Sequence, residues 1–226
     1  MFALQHGGEA LFSRDCMYKV DDILVAKGLH LDRTTYAYSA VHGRLDPSLH
    51  DILRDIMGLS TLFNCHLDKR PLDLIGYQEA LQSICYRLLQ FSSLRGSRLK
   101  PGLQAAHHIG MTIFMMTIFL QYDRRRIIKY ELVWSCVRDV LDSGCLDEHE
   151  DELAFWLLML GGIWVSCDGN DDWLVSNLQQ MGQKLGMETW AEVRNMLAKF
   201  PWIDVIHNEP GRKLWNRLCC TGYASE

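Results

Sequence analysis

At 226 residues the chain is long enough to bury one sizeable core, and a hydrophobic share of 48% against 23% charged residues excludes global disorder. A net charge of −5 and a pI near 6.0 oppose the positive field that a phosphate backbone requires, so no direct nucleic-acid contact is expected of this chain. Eight cysteines, none separated from another by two residues, and no basic-then-apolar leader over residues 1–10 point to a reducing compartment, without a disulfide framework or a zinc cluster.

Residues 1–43 read as a poorly defined N-terminal arm, in which residues 16–26 could form a short helix and residues 33–41 an extended or irregular stretch. From residue 44 the pattern is helical. Asp46 and Pro47 give a cap and first-turn signal, and Leu49, Ile52, Leu53, Ile56 and Met57 follow at helical spacing through to Phe63. Lys69, Arg70 and Pro71 break that pattern. Tyr77, Leu81, Ile84, Cys85 and Leu88 rebuild it as a second amphipathic helix. Gly96, Ser97, Pro101 and Gly102 mark a linker.

Residues 103–120 are nearly all apolar. The uninterrupted part, residues 109–120, would span about 18 Å of a hydrocarbon layer roughly 30 Å thick, and extending it backwards takes in Gln104, His107 and His108. A buried core helix is therefore expected, with no membrane contact. Arg124, Arg125 and Arg126, with Lys129, form the one basic run, read as a solvated turn ahead of a helix over residues 127–141. Acidic residues gather from Asp139 to Glu152 without the ligand spacing or central glycine of a calcium loop, which fits negative charge at a helix N-terminus. Residues 153–165 have no polar side chain, so this segment should be the central helix, with Gly161 and Gly162 letting a neighbour approach closely. Asn170 can cap a helix bearing Leu174, Leu178, Met181 and Leu185, ended by Gly186.

The densest local signals come last. Thr189 and Glu192 form a capping box, and Trp190, Val193, Leu197 and Phe200 share one helix face. Pro201 stops that helix. Trp202, Ile203, Val205 and Ile206 then make a short apolar connector, and Asn208 is placed to cap a last helix with Pro210 in its first turn. Leu214, Trp215 and Leu218 return to one side, and residues 219–226 read as a frayed tail. The expectation is an all-α fold, a single-domain irregular bundle of about eight helices over residues 44–218.

No arrangement of reactive groups stands out. Asp172, Ser176 and Gln180 lie four residues apart on one helix face, as in the second metal motif of all-α isoprenoid synthases, but the last position is not acidic and Asp21 and Asp22 lack the carboxylate of the first motif. A magnesium-dependent enzyme of that kind is the alternative reading. Cys65 with His66, the His107 and His108 pair, and His207 are candidate ligands or nucleophiles, yet adjacent helical residues point about 100° apart and do not converge on one ion. Seven tryptophans read first as core, although so many can also leave a cavity for an apolar effector.

A resemblance goes beyond this. Trp190, Glu192 and Val193, then Trp202, Ile203 and Asp204, then Pro210, Gly211, Arg212, Leu214 and Trp215 form a string that resembles the C-terminal end of the regulatory domain of fungal-specific transcription factors. That family normally carries a binuclear zinc-cluster DNA-binding domain, for which these residues hold no cysteine cluster. The resemblance implies a nuclear, non-enzymatic role without a cofactor. It also implies action through protein partners, related transcription factors among them, or through a small apolar effector.

Overall fold

The computed structural model describes residues 20–26, 28–29, 43–66, 74–94, 99–120, 131–165 and 172–221. Among these residues the chain forms nine α-helices and no strand. They are α1 (Val20–Ala26), α2 (Pro47–His66), α3 (Leu74–Phe91), α4 (Leu103–Leu120), α5 (Glu131–Asp142), α6 (Asp151–Val165), α7 (Asp172–Lys184), α8 (Trp190–Leu197) and α9 (Asp204–Thr221). A 3-10 turn, Glu148–Glu150, leads into α6. The fold is an all-α single-domain bundle, as the helical periodicity predicts.

Helix α6 lies at the centre because its sequence leaves it no polar face to turn outward. Leu153, Phe155, Trp156, Leu158 and Leu160 are all buried, and α4, α5, α7 and α9 pack around it. Each such side chain contributes about 2 kcal/mol on leaving water. Small residues set the approach distances. A Cβ on Gly110 of α4 would lie 2.2 Å from the Trp156 ring, one on Gly161 would lie 2.4 Å from the Trp134 ring of α5, and one on Gly162 would lie 2.7 Å from Leu214 of α9. The glycine pair therefore does what its place in an apolar helix suggests.

On the other side, α2 packs against α1, α3, α4 and α9. Asp55 of α2 and Arg87 of α3 form a largely buried ion pair, and burial pushes the Asp55 carboxyl up despite the guanidinium beside it. Within the expected arm, α1 sends Val20 and Leu24 into the common core, and Asp21 meets Arg54 at 2.7 Å. The end of the acidic run is taken up by cations from neighbouring elements: Asp151 with Lys184 at 2.8 Å, Glu152 with Lys199 at 2.6 Å, and Glu150 with Arg44. Among the described residues no helix is long and apolar enough to cross a membrane.

Three boundaries differ from expectation. Helix α8 ends at Leu197, short of Phe200 and ahead of the Pro201 stop. The last helix starts at Asp204, not after Asn208, so Pro210 lies inside it and not in its first turn. It also runs to Thr221, three residues into the expected tail. The basic run Arg124–Arg126 with Lys129, Gly96 and Ser97 of the linker, the Asn170 cap, and the stretch 33–41 lie outside the described residues.

Candidate functional site

The turn from α8 into α9 brings together all eleven positions of the string from Trp190 to Trp215. At its entrance Thr189 is extended, and its hydroxyl accepts the Glu192 N–H at 3.3 Å. The Glu192 carboxylate accepts the N–H groups of Glu188 at 2.9 Å and Thr189 at 2.8 Å, which holds its carboxyl below the usual range. Helix α8 ends before Phe200, whose ring stacks on Trp156 at 5.4 Å, and the Pro201 carbonyl accepts the Trp156 indole N–H at 3.1 Å.

The corner itself is fastened by residues from elsewhere in the chain. Asn64, near the end of α2, donates its amide to the Trp202 carbonyl at 2.8 Å and accepts the Asp204 N–H at 2.9 Å. That second bond satisfies one of the N–H groups left open at the start of α9. The indole of Trp202 donates to Asn208 Oδ1 at 2.8 Å, so Asn208 serves the tryptophan from within α9 and caps nothing. His207 Nδ1 accepts the Ile203 N–H at 2.9 Å, which places the ring proton on Nε2. Nε2 donates to Thr117 Oγ1 at 2.8 Å, and the Thr117 hydroxyl donates in turn to the Phe114 carbonyl at 2.6 Å. Every polar atom of the ring is thus engaged. Burial drives the His207 pKa down to about 3, and a second ring proton would face the Ile203 N–H.

Gly211 completes the packing. A Cβ there would meet the Trp190 ring at 2.9 Å and the Trp202 ring at 3.2 Å, so both indoles lie against bare backbone of α9. Trp215 packs edge-on to Phe155 at 6.2 Å, and Leu214 reaches Gly162. Val193, Trp202, Ile203, Gly211, Leu214 and Trp215 are buried; Trp190, Asp204 and Pro210 are half-buried; Glu192 and Arg212 are exposed. Asp204 pairs with Arg194 at 2.9 Å and Arg212 with Glu209 at 2.9 Å. The corner is thus a packing unit with a charged rim. No family model, curated protein or solved structure matches this chain.

Function must be read from the chain's own residues, and the other candidate groups do not converge. His107 donates Nδ1–H to the Leu103 carbonyl of its own helix at 2.9 Å, whereas His108 turns to the Leu88 carbonyl of α3 at 3.0 Å. Burial lowers both pKa values, that of His107 to about 4. Cys65 is exposed, and the side chains of His66, Asp22 and Trp164 lie outside the described residues. Asp172, Ser176 and Gln180 share an exposed face of α7. Among the described residues no three His, Cys, Asp or Glu side chains gather as a metal site would need. Of the tryptophans, Trp156, Trp202 and Trp215 fill the core, while Trp134 and Trp173 flank the Arg138 guanidinium at 5.7 and 5.1 Å.

Sequence reasoning missed Asn64 and Thr117, and weighed His207 as a ligand or nucleophile against the core role in which the structure places it. Asn64 and Thr117 carry no local signal, because their partners lie 90 to 140 residues away in the chain.

Proposed function

We propose that this chain is a helical regulatory domain of the fungal transcription-factor type, acting in the nucleus through contacts with protein partners while a separate module reads DNA. The observation that carries the reading is the string from Trp190 to Trp215, whose eleven positions form one fastened corner with its charged groups on the rim. The net charge of −5 agrees with a body that does not itself grip nucleic acid. A magnesium enzyme of the isoprenoid-synthase kind finds less support, because the carboxylate face at Asp172 is turned to solvent and away from an apolar interior.

The test is a fusion of the full chain to an unrelated DNA-binding module, scored on a reporter alone and with full-length relatives co-expressed. Reporter output should change several-fold. Val205→Asp, at a rim position 62% exposed, should weaken that change while leaving the helical circular-dichroism melt in place. A reporter indifferent to the fusion in every combination, or magnesium-dependent turnover of a prenyl diphosphate lost in Asp172→Ala, would overturn the proposal.

A further inference from the structure

A cleft of about 200 Å3 opens between the residues that follow α3, the first turns of α4 with the residues leading into it, and the C-terminal half of α5. Leu94, Leu99, Ile109 and Val140 give it apolar walls, and Cys136 and Asp139 stand along one side. Three of those walls are part of the core: Leu94 is 7% exposed, Ile109 5% and Val140 3%. Ile109 and Val140 cannot close over the gap without moving α4 and α5, which carry them. His108 forms part of the lining with its Nε2–H already given to the Leu88 carbonyl, and burial keeps the ring neutral.

Size and charge restrict what such a cleft can take. An apolar cavity of about 150 Å3 holds a molecule the size of benzene, whereas drug-sized ligands need about 300 Å3 or more. This cleft therefore suits one ring with a short side chain. Its charged group is the Asp139 carboxylate, which is exposed and, among the described residues, enters none of the ion pairs. The carboxylate lies close enough to the Cys136 sulfur to help burial raise that thiol's pKa. A negative charge beside apolar walls selects against carboxylate ligands and for ammonium ones.

We propose that this cleft is a binding site for a small one-ring amine, the ring against Leu94, Ile109 and Val140 and the ammonium at Asp139. The proposal is independent of the transcriptional role, since it uses none of the corner residues.

Phenethylamine is the probe, with phenylacetate as its counterpart of opposite charge, titrated against the full chain and followed by amide chemical shifts. Phenethylamine should bind saturably, with shifts centred on α4 and α5, and phenylacetate should bind several-fold more weakly. Asp139→Asn should weaken phenethylamine about threefold, the range of an exposed ion pair. Asp139→Lys should pass the preference to phenylacetate, and the position is exposed, so neither variant threatens the fold. Bound amine should also slow alkylation of Cys136 by N-ethylmaleimide while leaving exposed Cys65 unprotected, read by mass spectrometry of the two peptides. Linear, non-saturating shifts, equal binding of the two probes, an Asp139→Lys protein with unchanged preference, or equal protection of both cysteines would each overturn the assignment.

Discussion

Three buried histidines make the bundle sensitive to mild acid. His107, His108 and His207 all have an ordinary pKa of 6.5 lowered by burial, to about 4 for His107 and about 3 for His207. Below pH 6.5 the unfolded chain takes up protons that the folded chain refuses, so their contribution to stability is complete above 6.5 and is lost as pH falls toward the folded values. Each such histidine removes about 1.4 kcal/mol per pH unit once its unfolded form is protonated. Between pH 6.5 and about pH 5 that is about 2 kcal/mol each, hence about 4 kcal/mol for His107 and His207 together. His108 adds in the same direction. A loss of that size is a large part of the roughly 5–15 kcal/mol that holds a domain together. Asp55 works with the opposite sign, because burial raises its pKa above 3.8 and the proton it keeps stabilises the folded state only at low pH. Its contribution cancels in a comparison of wild type with a histidine variant. Urea titrations near pH 7 and near pH 5 should therefore show a midpoint that drops steeply on acidification, and His207→Gln, though less stable near pH 7, should show a drop smaller by about 2 kcal/mol. His108→Gln should flatten the profile in the same way. Parallel profiles for wild type and both variants would mean that the rings titrate in the folded state, and the neutral network built on His207 would have to be abandoned.

Other perturbations probe the packing. Asn64→Ala removes both bonds that fasten the corner and should cost about 1–2 kcal/mol in urea, with Asn64→Asp, which keeps the acceptor for the Asp204 N–H, losing less; equal stability of wild type and alanine variant would show the bonds to be idle. Gly110→Ala drives a methyl to within 2.2 Å of the fully buried Trp156 ring and should cost about 2–3 kcal/mol, whereas Gly182→Ala, 3.2 Å from Trp215, should cost under about 1 kcal/mol, and thermal melts that reverse this order would refute the close approach of α4 and α6. Pro210→Ala restores an N–H for the Ile206 carbonyl and should raise the melting temperature by a few degrees, equivalent to about 1 kcal/mol; a lower melting temperature would mean the proline ring is needed where it sits.

How much of this could be read from the residues depended on the distance over which each signal acts. Helix α6 was legible because thirteen residues without a polar side chain allow only burial on every side. The Thr189 and Glu192 capping box was legible because its bonds close within four residues. The glycine pair announced a close approach but not its partners, Trp134 and Leu214, which come from helices on either side in sequence. Helix α1 falls within the short helix expected over residues 16–26, but its buried face was illegible: seven residues carry too few periods to declare one, and only contact with α2 shows that Val20 and Leu24 point inward. At the corner, the apolar spacing already reads as buried packing, but not how it is fastened, since indoles over Gly211 and a histidine bonded on both nitrogens leave no local pattern.

The misplaced start of α9 has a single physical origin. A helix begins where its first N–H groups find acceptors, and the nearest capping residue in sequence ahead of the proline is Asn208. The acceptor is instead Asn64 Oδ1, reached across the bundle from α2, and the Ile203 carbonyl takes the N–H groups of Ile206 and His207 at 3.0 and 2.8 Å. With its N-terminus satisfied from outside, α9 starts at Asp204 and tolerates Pro210 in its interior, where the ring removes one bond but fits the helical φ. Asn208 is then released to hold the Trp202 indole. The start of the last helix is therefore set by tertiary contact, and α2 and the α8–α9 corner support one another. Loosening either one should expose the other to solvent exchange.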